Sequence, residues 1–211
     1  MNQPQVRRAT CLFGLVAAVL TLVEVPLYFL HSGAPPASNV LARILLSLFV
    51  CASLLVFLSG LRQLLRQASG PAYEWLVTLA FAAAFLYVGV TLVAHALQAG
   101  VVFGADGTPV DPTTEGPLAD AATLLYGSVG RVLTALFLAA VGHLILRTAA
   151  LPRWAGISAY VIAAVNLAFV PSLFFGTDPA DFYSAVGWGT TAVIASLQMY
   201  WVLAVSVRLR T

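Results

Sequence analysis

Six apolar runs follow one another along the chain, at Ala9 to His31, Asn39 to Leu61, Ala72 to Ala99, Asp120 to Leu146, Trp154 to Phe175 and Tyr183 to Val207. Each is long enough to cross a hydrocarbon core about 30 Å thick as an α-helix rising about 1.5 Å per residue. The pattern predicts an all-α, polytopic membrane protein of six transmembrane helices, numbered 1 to 6 in chain order. No Gly/Ser linker or low-complexity stretch divides it, so residues 1–211 are expected to form one domain.

Charge supplies an orientation. Arg7, Arg8, Arg62, Arg66, Arg147, Arg153, Arg208 and Arg210 cluster at one set of helix ends, while Asp106, Asp111, Glu115, Asp120, Asp178 and Asp181 cluster at the other. Short arginine-rich loops stay in the cytoplasm during insertion, which places both termini inside (N-in/C-in). Helix 1 lacks a small-residue cleavage pattern and is expected to remain as a signal-anchor. The longest loop, between helices 3 and 4, is rich in turn formers, among them Gly104, Gly107, Gly116, Pro109, Pro112 and Pro117. It either caps the bundle or stands free in water.

Composition agrees: 61% hydrophobic and 9% charged residues would give a soluble chain too little polar surface. The net charge of +2 lies at helix ends and is no nucleic-acid footprint. The chain has no lysine, which excludes a retinal or pyridoxal Schiff base. It also has no CxxC, HExxH or GxxxxGK. Cys11 and Cys51 fall near opposite ends of their helices and are expected to be free thiols. No cofactor is expected.

The stretch His143 to Val165, HLILRTAALPRWAGISAYVIAAV, and the start of helix 2, Ala37 to Leu48, resemble a bacterial family of six-helix membrane proteins of unknown function. The resemblance rests on Leu151, Pro152, Arg153 and Gly156 in the loop between helices 4 and 5. It implies a bacterial inner-membrane location and no chemistry. In local terms Pro152 stops one helix and Arg153 anchors the next at the membrane surface.

Polar groups inside the bilayer mark candidate function, since a charge near mid-membrane costs about 2.5–3.5 kcal/mol even on insertion scales. Glu24, Arg43 and Arg131 are the three strongest cases. Residues at offsets of three, four and seven share a helix face. Helix 1 so presents Thr21, Glu24, Tyr28 and His31, and helix 3 presents Tyr87, Thr91, His95 and Gln98. Helix 4 presents Asp120, Thr123, Gly127, Arg131 and Thr134, and helix 6 presents Ser184, Gly187, Thr191 and Gln198. Most fall in the outer half, where they converge on a polar pocket with Pro26 kinking its wall.

In the enzymatic reading, Glu24 is the candidate acid, with Asp120 and His95 as further catalytic candidates. A desolvated carboxyl is suited to donating a proton to a lipophilic substrate, as in isoprenoid or meroterpenoid cyclisation. The substrate-binding set is Arg43, Arg131, Tyr28, Tyr87, Thr91, Trp188 and Thr191, with Phe85 and Tyr183 adding aromatic wall. In a binding or transport reading, Arg43 and Arg131 attract an anionic headgroup, and Glu24 with His95 serves proton coupling. In a structural reading, Glu24 forms a static pair with an arginine, Arg43 snorkels, and the Ser/Thr stripes only pack. Whether Glu24 pairs with Arg43 or with Arg131 stays open. His31 and His95 form a weak alternative metal set, and proteolysis by Ser128 is excluded because helix 6 has no activating histidine. Membrane lipids and a lipophilic small molecule are the expected partners, and nucleic acid is not.

Overall fold

The computed structural model describes residues 3–31, 33–115 and 118–210, and Gly116 and Pro117 of the long loop fall outside them. Among the described residues six helices are long and apolar enough to cross a membrane: helix 1 Gln3–Phe29, helix 2 Ala37–Ser69, helix 3 Pro71–Gly104, helix 4 Ala119–Thr148, helix 5 Arg153–Phe174 and helix 6 Gly189–Arg210. Helix 2 runs past its apolar run through Arg62 and Arg66 to Ser69, and helix 3 runs past Ala99 to Gly104. Helix 6 starts six residues later than expected. The residues from Tyr183 to Gly187 form turns and bends, so Ser184 and Gly187 stand outside the helical stripe assigned to them.

Each helix packs against its neighbours in sequence, and helix 6 closes the ring on helix 1. The start of helix 1 meets the ends of helices 2 and 6: an added Cβ on Gly60 would fall 1.9 Å from Thr10 Oγ1, and one on Gly14 would fall 2.0 Å from Ser206 Oγ. Lipid tails are as apolar as leucine, so close approach at small residues holds such helices together. Gly142 and Gly156 do the same for helices 4 and 5, where a Cβ on Gly142 would lie 2.9 Å from the Gly156 carbonyl oxygen.

The core lies towards the arginine-rich end. Phe81, Phe137 and Trp201 form an edge-to-face ladder with centroids 5.8 and 6.2 Å apart, and Trp201 Nε1 donates to the Ala155 carbonyl at 3.0 Å. At this end Arg66 pairs with Glu74 at 3.0 Å, the one ion pair among the described residues. At the opposite, acidic-loop end, Val110 of the long loop packs onto Val40, Ile44 and Val102, and Pro112 is buried. That part of the loop covers the junction of helices 2 and 3 instead of standing free.

Candidate functional site

Four of the six helices leave α-geometry at the acidic-loop end. Helix 1 tightens into a 3-10 segment at Val25–Phe29 around Pro26, and helix 5 does so at Val170–Phe174 around Pro171. Helix 4 widens into a π-turn at Leu125–Val129 that breaks at Gly127 (ψ −118°), and helix 6 opens with a π-turn at Gly189–Val193. A proline removes a donor and forces such a change, while π-turns inside helices are found often at functional sites.

The 3-10 segment carries a polar cluster between helices 1 and 2. Glu24, buried at 8% exposure, takes a hydrogen bond on Oε1 from the Ser47 hydroxyl at 2.6 Å and a longer one from the Tyr28 hydroxyl at 3.4 Å. Oε2 takes no hydrogen bond from any described residue. Arg43, at 5% exposure, stacks its guanidinium on the Tyr28 ring, 4.2 Å from the centroid. Its Nε–H is buried without an acceptor. The Tyr28 side chain thus touches both charged groups, and no oxygen of Glu24 comes within 4 Å of an Arg43 nitrogen. One turn from Arg43, Asn39 Nδ2 donates to the Leu27 carbonyl at 3.2 Å, while its Oδ1 is buried and unpartnered.

Arg131 is almost fully buried, at 1% exposure, yet it pairs with no carboxylate. Its Nη2 donates to the Tyr126 carbonyl at 2.6 Å, its Nε to the Gly127 carbonyl at 3.3 Å and its Nη1 to Asn166 Oδ1 at 3.4 Å. Both carbonyls belong to the broken turn of helix 4; Gly127 also accepts from the Gly130 N–H, so Arg131 adds donors to a turn whose regular hydrogen bonding is interrupted. Of the two arginines left open as partners of Glu24, neither forms an ion pair with it. Arg131 thus braces the break in helix 4.

The remaining candidates divide. His95 and Gln98 on helix 3 are buried, with Gln98 Nε2 donating to the Tyr126 hydroxyl at 3.3 Å and His95 Nδ1 unpartnered. Tyr87 packs against Gly130 and lines a cavity of about 10 Å³, close to the room one water needs, together with Thr134 and Gln198, which are hydrogen-bonded at 3.3 Å. Thr91 and Thr191 spend their hydroxyls on the carbonyls of Tyr87 and Gly187 in their own chains of turns. Asp120 is exposed, as is His31, which lies beyond the end of helix 1. Trp188 is 51% exposed and joins Phe182, Phe169, Tyr183 and Phe175 in a separate aromatic cluster between helix 5 and helix 6. Among the described residues no three His, Cys, Asp or Glu side chains come together as a metal-ligand set. Cys11 and Cys51 are free and buried on different helices.

The structure adds Ser47, Asn39 and Tyr126 to the site. Asn39 and Ser47 flank Arg43 at offsets of four, the spacing that puts all three on one face of helix 2, and that stripe was the readable signal. Tyr126 owes its place to the break at Gly127, which no periodic rule follows. Comparison of the chain with protein-family models, with curated proteins and with solved structures finds no match.

Proposed function

We propose that this membrane protein binds an amphiphile through an anionic group seated at Arg43, between helices 1 and 2 at the acidic-loop end. The observation that carries the reading is the buried Arg43 Nε–H without an acceptor. A charge withdrawn from water needs a partner, and truncating or omitting that partner is what makes buried charges costly. A phosphate or carboxylate oxygen supplies the missing acceptor in a strong, charge-assisted bond. Arg43 also lies in the second turn of helix 2, whose amino end contributes positive potential of its own. Three of the five Arg131 N–H donors are engaged inside the bundle, so the reading is centred on Arg43.

Acid-initiated chemistry on the bound amphiphile is the second reading, favoured by the unbonded Glu24 Oε2. Against carbocation cyclisation stands the occupied face of Tyr28, since the ring surface that would steady a cationic intermediate already holds Arg43. By arginine placement, the reading sets the acidic-loop end outside and the arginine-rich end in the cytoplasm of a bacterial inner membrane. Native mass spectrometry of the gently extracted protein tests the binding claim. Wild type is expected to retain an anionic amphiphile that Arg43→Gln releases, and equal retention by both proteins would overturn it.

A further inference from the structure

Arg43 Nε–H lacks an acceptor, and one turn away on helix 2 Asn39 Oδ1 lacks a donor. The amide orientation is fixed by its other end: Nδ2 bonds the Leu27 carbonyl, and a flipped amide would set oxygen against oxygen there. Both residues face the 3-10 segment of helix 1, Asn39 at Leu27 and Arg43 at Tyr28. A carboxylate or a bare phosphodiester satisfies the arginine alone. Filling both sites takes an acceptor and a hydrogen-bond donor about one helical turn, roughly 5–6 Å, apart on one molecule.

Around the cluster the surface is apolar. Tyr28, which touches both charged groups, is 42% exposed, and Phe29 and Leu30 after it are 80 and 63% exposed. These side chains sit where the bilayer lies, so the cluster borders on lipid at its edge. On the strength of the anion-binding reading, we infer that the ligand is a membrane lipid whose headgroup joins a phosphodiester to a hydroxyl or ammonium donor, glycerol- or ethanolamine-type, with choline discriminated against. The phosphodiester accepts from Arg43, the donor serves Asn39 Oδ1, and the acyl chains lie along the apolar faces of helices 1 and 2.

The full chain in nanodiscs of equal phosphatidylglycerol, phosphatidylethanolamine and phosphatidylcholine, all with the same acyl chains, is released and weighed with its retained lipids. Wild type is expected to enrich the first two over choline lipid by about fivefold, the ratio one net hydrogen bond gives. Asn39→Leu, with Asn39→Ser as a second variant, keeps bound phospholipid and brings that ratio to about one. Even retention of all three lipids by wild type, lost together in Arg43→Gln, overturns the headgroup inference and leaves the anion reading intact. Retention unchanged in Arg43→Gln overturns both. Displacement of lipid by excess glycerol 3-phosphate or inorganic phosphate would mark a soluble anion as the ligand and overturn the lipid assignment.

Discussion

The guanidinium of Arg43 rests on the ring of Tyr28, 4.2 Å from its centroid, and the hydroxyl of the same ring turns to Glu24. A desolvated cation–π contact is worth about 1–2 kcal/mol, whereas a 3.4 Å hydrogen bond contributes less. Tyr28→Phe should therefore hold Arg43 and change ligand affinity little. Tyr28→Leu should weaken it by about five- to thirtyfold. Lipid titration followed by native mass spectrometry separates the two, and equal losses would show that the hydroxyl matters more than the ring face.

Glu24 competes with an anionic ligand for the field of Arg43. Glu24→Gln keeps a carbonyl oxygen for Ser47 and Tyr28 and removes the negative charge, so anion retention should rise. A fall in retention with the thermal unfolding transition unchanged would mean that the carboxyl itself contacts the ligand, as the acid reading requires.

Removing Arg131 strips its donors from the Tyr126 carbonyl and Asn166 Oδ1, while the Gly127 carbonyl keeps the Gly130 N–H. At about 1–3 kcal/mol for each orphaned buried group, Arg131→Ala should cost about 2–6 kcal/mol. Asn166→Ala loses the long bond from Arg131 and a 2.8 Å bond to the Ile162 carbonyl, and should cost about 1–2 kcal/mol. Thermal unfolding in detergent, followed through tryptophan fluorescence, reads both. An Arg131→Ala protein as stable as wild type but unable to hold lipid would return this arginine to the ligand site.

Gly142 and Gly89 are both helix-interior glycines with opposite surroundings. A Cβ on Gly142 meets the Gly156 carbonyl oxygen at 2.9 Å, while one on Gly89 meets nothing within 4 Å. Gly142→Ala should destabilise by about 1–3 kcal/mol through forced separation of helices 4 and 5. Gly89→Ala should be neutral or stabilise by up to about 1 kcal/mol, the difference in helix propensity. The same unfolding measurement checks the pair.

The six spans were legible because length and apolarity alone decide whether a helix crosses a bilayer. Their ends were less so. Phe175, Phe182, Tyr183 and Trp188 are as hydrophobic as helix residues, yet they spend that character on one another in a turn-rich segment, and no hydropathy sum separates the two uses. The stripe on helix 1 gave Glu24 and Tyr28 correctly as neighbours because four residues of near-helical chain join them. On helix 4 the stripe residues Thr123, Gly127, Arg131 and Thr134 are buried, and Asp120 at its end is exposed. The partner of Arg131 was illegible for a further reason: it is a pair of backbone carbonyls, which leave no letter in the sequence.

Pitch changes concentrated at one end of a bundle divide it mechanically. The regular, glycine-locked half acts as a stiff base. In the other half, the 3-10 and π turns hold fewer standard hydrogen bonds and more room to exchange one pitch for another. When a guest enters between helices 1 and 2, the displaced volume should be absorbed by re-winding of this rim, while the base transmits almost none of it to the far side of the membrane.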